Sequence, residues 1–363
     1  MIAIKHIKLF LILLVLFIPF LFGCDKKEKN TNVSSNPKKG EYTKLFNKDI
    51  IQDVYIDIDK ENYDYLLKNA LDKKYTKINT IKIGDYKIKD SGIKTKGFTS
   101  LRHLYNTDYN KYSYTINFKK YINKKNGYNY NQNLLGLNKL SFNNMFSDAT
   151  MMKEFLSYYL FTEMGVDTPE YSYVNLYINN KTNGVYLMLE PIDEALIERI
   201  YNEKGKFLFK PEKEGGSLQY NKELDKYLDK DGNYNFDSLL YKDGILKYPR
   251  SSNNLINKYR GIWEDNSDDF EDIVDLLPTF FKTLKKLDEL NYLKNKNTSY
   301  FEEEVNKILD IDKLIRYFAV NIYLVNVDSY LSYNPQNYGL YMNNEGFIHI
   351  IPWDYNLILG ANL

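Results

Sequence analysis

The sequence predicts an α+β protein with a β-rich N-terminal portion and a helical C-terminal portion. Two observations carry that expectation. Short runs with period-two alternation of apolar residues crowd the early part of the chain, and helical spacing takes over later. There is no internal repeat and no regular strand–helix alternation of the kind a parallel βαβ sheet requires. The 363 residues suffice for one large or two medium domains with a substantial core, and a single cysteine means that no disulfide staples it.

The first 23 residues read as a signal peptide. Lys5 and Lys8 precede an apolar run from Leu9 to Phe22, and Gly23 precedes Cys24. The run is shorter than the about 20 residues of a membrane span. "LFGC" resembles a bacterial lipobox, so Cys24 is expected to be lipidated and to anchor the chain on the extracytoplasmic face of the membrane. Residues 25–42 are polar and aperiodic and read as a flexible tether. This places a linker over 24–44 and a folded domain over 45–363.

"DVYIDI" (53–58) alternates as a strand, and "KENYDYLLKNAL" (60–71) has helical spacing. "INTIKIGDYKIKDSGIKTKG" (78–97) reads as two or three strands with turns at Gly-Asp and Ser-Gly, and "YSYTINF" (112–118) as another strand. "DATMMKEFLSYYLFTEMG" (148–165) predicts a helix capped by Asp148 and ended by Gly165. Its expected apolar face is Met151, Met152, Phe155, Leu156, Tyr159 and Leu160. "YVNLYINNKTNGVYLMLEPID" (173–193) predicts a hairpin turning within 179–183. Residues 212–260 are turn-rich and read as loops. Helices resume at "DDFEDIVDLLPTFFKTLKKL" (268–287) and at "DIDKLIRYFAVNIYLVN" (310–326), the latter apolar enough to be expected buried.

Composition excludes several function classes. A net charge of +1 gives no general field for nucleic acid, and no nucleic-acid partner is expected. No GxGxxG, Walker A or GxSxG pattern is present, and three histidines with one cysteine argue against a His/Cys zinc site. "DKDGNYNFDSLL" (229–240) imitates a calcium loop, yet Tyr234 stands where the loop needs glycine and Leu240 where it needs a bidentate glutamate, so it reads as an Asp-Gly turn.

"DSYLSYNPQNYGLYMNNEGFIHIIPWDYN" (328–356) is the informative stretch. "YGLYM" and "FIHII" joined by "NNEG" predict an antiparallel hairpin, whose open end would bring Asn337 beside Asp354. Asp328 lies nine residues before Asn337. Two carboxylates with amide oxygens suit Mg²⁺, Mn²⁺ or Ca²⁺, and the order Asp, Asn, Asp is that of a kinase catalytic loop and its metal-binding aspartate. Spacing alone leaves solvated loop acids as an open alternative.

From about residue 50 to the end, the chain resembles the CotH kinase family of spore-coat-protein-H-like atypical protein kinases. The resemblance runs through "GIKTKGFTS" (92–100), "NKLSFNNMFSDATMMKEFLSYYLFTEMGV", "YVNLYINNKTNGVYLMLEPID", "KFLFKPE", "NVDSYLSYNPQNYGLYM" and "IIPWDYN". It implies a divergent protein-kinase-like fold with its site at the late hairpin. It further implies transfer of the ATP γ-phosphate, with Mg²⁺ or Mn²⁺, to Ser residues of coat or surface proteins carrying Ser-rich segments. On that pattern Asp328 would be catalytic, with Asp354 and either Asn334 or Asn337 as metal ligands. Lys94, Lys96 and Lys210 would serve the phosphates, and Glu190 would fix one lysine as an ion pair. The family often has a further Asp where this chain has Asn356, and its members usually extend beyond the nine residues that follow Asp354, so a truncated product is expected. The alternative is a non-catalytic surface, coat-assembly or adhesion protein on the same fold.

Overall fold

The computed structural model describes residues 29–30, 39–107, 109–121, 132–203, 207–209, 216, 218–237, 241–242, 245–246, 274–333 and 335–360. The signal segment, Cys24, Lys210 and Asn334 lie outside the described residues.

Within the segment read as a tether lies the short β1 (Lys29–Asn30), and the early alternating runs build β2 (Gln52–Asp57), β3 (Thr76–Ile83), β4 (Tyr86–Lys96), β5 (Ser113–Asn117), β6 (Lys139–Asn143), β7 (Tyr171–Ile178) and β8 (Lys181–Leu189). They pair in the order β4-β3-β2-β7-β8-β6-β5, and β5 returns to pair with β4 over Gly92–Lys96, closing seven strands into a barrel. Strand β1 only flanks Tyr86–Lys87. Alternation sends Ile56, Ile78, Ile93, Tyr114, Phe142, Leu176 and Tyr186 inward, where all are buried in one core. The pairing places the ends of β2, β4, β6 and β7 and the starts of β3, β5 and β8 at one rim, called here the near rim.

The β7–β8 hairpin turns at Asn179 and Asn180, with φ of 51° and 60°, a conformation that asparagine tolerates well. The expected Ser-Gly turn does not form. Ser91 and Gly92 lie inside β4, and Gly92 is needed because a Cβ there would come within 2.9 Å of the Lys120 side chain.

The helices are α1 (Lys60–Lys68), α2 (Thr99–Tyr105), α3 (Lys153–Glu163), α4 (Glu194–Tyr201), α5 (Leu277–Leu293), α6 (Thr298–Val305) and α7 (Ile311–Tyr323). A second sheet runs β13-β12-β9, formed by β9 (Phe207–Phe209), β12 (Tyr338–Met342) and β13 (Ile348–Pro352). A two-strand pair joins β10 (Tyr241–Lys242) to β11 (Ile245–Leu246). Strands early and helices late are thus observed, as an α+β architecture.

Further expectations need correction. Helix α3 starts at Lys153, five residues after Asp148, which nevertheless caps it by accepting the Lys153 amide at 2.8 Å. Its buried side is Glu154, Ser157, Tyr158 and Phe161, whereas Met151, Met152, Leu156 and Tyr159 are exposed. Aromatic partners select that side: Tyr158 packs on Tyr171 and Tyr355, and Phe161 on Tyr317 and Tyr355. Helix α7 is not wholly buried; Tyr317 and Val320 face the core while Ile315, Ile322 and Tyr323 face outward. The 212–260 region is not only loop, since Tyr220, Leu224, Tyr234 and Phe236 join Phe280 and Phe281 of α5 in a second core with Tyr338 and Leu340. Finally, Tyr42, expected in the tether, is buried and donates to Glu190 and to the Ala195 carbonyl.

Two local expectations hold. Gly165 adopts φ +72° and ends α3. Asp229 accepts the amides of Asp231 and Asn233 at 2.9 and 2.8 Å, which makes the calcium-loop imitation a turn closed on itself. Among the described residues no helix is long and apolar enough to cross a membrane.

Candidate functional site

The late hairpin forms in the expected register, with Tyr338 opposite Pro352 and Met342 opposite Ile348. The ends of its strands therefore meet, and the Trp353 amide donates to the Asn337 carbonyl at 3.3 Å. Asn337 and Asp354 both leave the strands in the left-handed region, with φ of 57° and 61°. That conformation ends the pairing abruptly on both strands, and Asn and Asp adopt it more readily than most residues.

Asp328 is fastened to this open end. Its carboxylate accepts from Gln336 and, at 2.8 Å, from the Asn337 amide, which also donates at 2.8 Å to the Asp328 carbonyl. The Asp328 amide donates to Asn326 at 3.0 Å. Burial pushes the Asp328 carboxyl up and the nearby Asp354 charge adds to it, while Gln336 and Asn337 pull against both. Because the Asn337 nitrogen is spent on Asp328, its amide oxygen is left as an acceptor.

Asp354 lies against the outer wall of the barrel at the near rim. Its backbone amide donates to the Tyr158 hydroxyl at 3.3 Å, and no side-chain donor among the described residues hydrogen-bonds its carboxylate. Desolvation raises its carboxyl, and the Lys96 ammonium opposes that. Lys96, at the end of β4, donates to Asn143 at 2.6 Å and lies 4.8 Å from the Trp353 ring centre. The Asn143 amide in turn donates to both Glu154 oxygens, at 2.8 and 3.0 Å. An amide thus bridges the lysine and the glutamate.

Glu154 is 1 % exposed. Burial first, then the charge of Asp354, pushes its carboxyl up to about 7, against Asn143, Lys96 and Tyr158. Two desolvated carboxylates consequently share the influence of one lysine. Of these carboxylates only that of Asp354 has no side-chain hydrogen bond among the described residues, and such an oxygen donor suits a hard divalent cation. Among the described residues no three His, Cys, Asp or Glu side chains gather closely enough to hold an ion by themselves. A Mg²⁺ or Mn²⁺ here would need one or two carboxylates completed by an amide oxygen and ligand oxygens, a ligand set that the residues present can supply.

The remaining expected residues are placed elsewhere. Lys94 shares the outer face of β4 with Lys96, but its ammonium lies 5.0 Å from the Tyr75 ring. Among the described residues Glu190 pairs with Arg199 and with no lysine. It is fully buried and binds Arg199 at 2.5 and 3.1 Å, the Glu170 amide at 2.8 Å and the Tyr42 hydroxyl, because α4 brings Arg199 back over the end of β8. Sequence reasoning missed Glu154, Asn143 and Gln336. A signal for Glu154 was present: it shares one helical face with Tyr158 and Phe161, and an acid on an aromatic face needs a partner. Asn356, where an acid was expected, donates to the Phe146 carbonyl at 2.8 Å, which a carboxylate cannot do.

The chain is 26% identical over 259 residues to the inner spore coat protein H of Bacillus subtilis (strain 168), a match covering 70% of this chain and 57% of that protein. The chain thus spans a little over half the length of the curated relative it matches. The family model described as CotH kinase protein matches residues 93–362, which include Lys96, Asn143, Glu154, Asp328 and Asp354, and the chain belongs to the CotH family.

Proposed function

We propose that this chain is a metal-dependent protein serine kinase that transfers the γ-phosphoryl group of ATP to Ser-rich segments of coat or surface proteins. The observation that carries the reading is the late hairpin, whose open end fastens Asp328 to Asn337 and places Asp354 beside the wall that bears Lys96, Asn143 and Glu154. Asp328, held on both carboxylate oxygens, orients the acceptor hydroxyl and takes its proton. Lys96, aimed by Asn143 and Trp353, offsets phosphate charge, and Glu154 acts through Asn143 to hold it there, in the manner of the lysine–glutamate pair of protein kinases. A bound Mg²⁺ or Mn²⁺ would supply neutralisation of the developing phosphate charge, with Asp354 and the Asn337 oxygen as its protein ligands.

The relative's name places it in the inner spore coat, so coat proteins are the first acceptors to test. A lipid anchor at Cys24 on the extracytoplasmic face of the membrane completes the proposal. The test is transfer of label from ATP to a Ser-rich peptide by the full chain with Mg²⁺ or Mn²⁺, together with a nucleotide-dependent thermal shift. Absence of both would sink the kinase reading and leave a coat-assembly or adhesion protein on the same fold. Activity that survives Asp354→Ala would overturn the site assignment.

A further inference from the structure

The mouth of the barrel at the near rim holds a second cluster that the proposed chemistry does not use. A cavity of about 620 Å³ opens there between α1, the β7–β8 turn and the segment leading into β5. Barrel mouths are favoured places for ligands. Its polar lining includes Lys60, Lys111, Lys181, Asn183 and Asp64, beside the Tyr63 ring.

The charges do not balance. Lys60 is paired with Asp64 at 2.5 Å within one helix turn, but among the described residues no carboxylate pairs with Lys111 or Lys181. Lys111 is the telling residue: its ammonium lies 5.3 Å from the Tyr186 ring, and burial pulls it below the ordinary lysine value. An ammonium drawn from water without a counter-ion is unfavourable, and an anion in the cavity would restore what burial removes.

The cavity is also tied to the candidate site. The Lys111 carbonyl accepts from the Asn144 side chain at 2.7 Å, and the Asn144 amide donates to Ser113 at 3.0 Å. Ser113 pairs with Lys96, and Asn143 is the ligand of Lys96. Asn143, the last residue of β6, thus contacts the ammonium of the site lysine, and the adjacent Asn144 the backbone of the cavity lysine.

We propose that the barrel mouth is an anion subsite that receives the phosphate monoester of a serine already phosphorylated in the acceptor protein. The anion site stands on this geometry, and the phosphoserine identity rests on the kinase reading. Lys111 and Lys181 bind the phosphate, while a second serine of the same Ser-rich segment reaches Asp328. The first phosphorylation of a segment then tightens its binding for the next.

The experiment measures binding of a labelled Ser-rich peptide, with and without one phosphoserine, to the full chain by fluorescence anisotropy without nucleotide. The phosphorylated peptide is expected to bind at least about tenfold tighter, since two charge-assisted hydrogen bonds easily supply that factor. Discrimination should weaken with salt and vanish in Lys111→Gln/Lys181→Gln, with the nucleotide-dependent thermal shift retained. Lys181→Gln alone, at an exposed position, covers the case in which the double variant fails to fold; it should reduce discrimination by about threefold. Equal binding of the two peptides, or discrimination that survives substitution, would overturn the subsite. Displacement by ATP or inorganic phosphate as effective as by the phosphopeptide would overturn the phosphoserine identity and make the ligand a free phosphate. A parallel transfer assay separates the two readings. Discrimination without transfer removes the kinase, and transfer without discrimination removes only the subsite.

Discussion

Two buried acids on opposite rims of the barrel behave in opposite ways. At the far rim, Glu190 is satisfied by Arg199, the Glu170 amide and Tyr42, and Arg199 is held well above its ordinary value by that carboxylate. At the near rim, Glu154 has, among the described residues, the Asn143 amide and a weak contact from Tyr158, with Asp354 and a shared lysine close by. Both acids are removed from water, so burial alone does not mark function. The difference is charge balance. A fully paired carboxylate joins pieces of fold, here the N-terminal segment, β8 and α4, whereas an under-paired one is a candidate for function.

The sharpest break of that contrast is Arg199→Ala. It strands Glu190 without a counter-charge and should cost about 3–5 kcal/mol, read as a loss of urea stability. At the near rim Asp328 has no cationic partner among the described residues, so its substitution should remove function at a smaller cost in stability. Asp328→Asn is expected to lower phosphotransfer by about 10²–10³-fold, measured as label incorporation, with a melting temperature close to that of the parent.

The third prediction uses pH. The folded-state carboxyl of Glu154 lies near 7, above its ordinary 4.5, so the folded protein holds a proton that the unfolded chain releases. The stability this contributes is complete below about pH 4.5 and is lost as pH rises through about 7. Thermal melts should decline over that window, and Glu154→Gln should flatten the decline. If the near rim is a cation site, Mg²⁺ should flatten it too, by favouring the ionised form. No comparable Mg²⁺ effect is expected from Glu190→Gln. The smallest effect belongs to Asn356→Asp. It removes the donor to the Phe146 carbonyl and should cost about 1–3 kcal/mol in a denaturant melt. A gain in Mg²⁺ affinity in that variant would show that the position can still act as an acid.

Much of the near rim was legible before any coordinates. The alternation of "YGLYM" and "FIHII" set a register, and register delivers Asn337 and Asp354 to one end of a hairpin. Glu190 was legible as a buried acid but not as a partner of Arg199. That pairing depends on where α4 folds back, which lies outside any local pattern. The apolar face of α3 was misread for a related reason. Met151, Met152, Leu156 and Tyr159 are hydrophobic and exposed, and Glu154 is charged and buried, because the adjoining wall offers an amide and aromatic rings. Helix α7 shows the same limit, since its apolar composition exceeds the face that its neighbours cover.

The sequence by itself therefore determined the α+β order of elements, the hairpin and its register, the turn at 229–233 and the family. These follow from period, turn chemistry and ordered motifs, all written in near neighbours along the chain. Only the tertiary structure decided that seven strands close into a barrel, that Glu154 and Asn143 stand beside Lys96, that Asn356 holds the Phe146 carbonyl, and that Lys111 lies half-buried in the barrel mouth. Those outcomes depend on which distant segments meet and on how much water remains between them, and no local pattern encodes either.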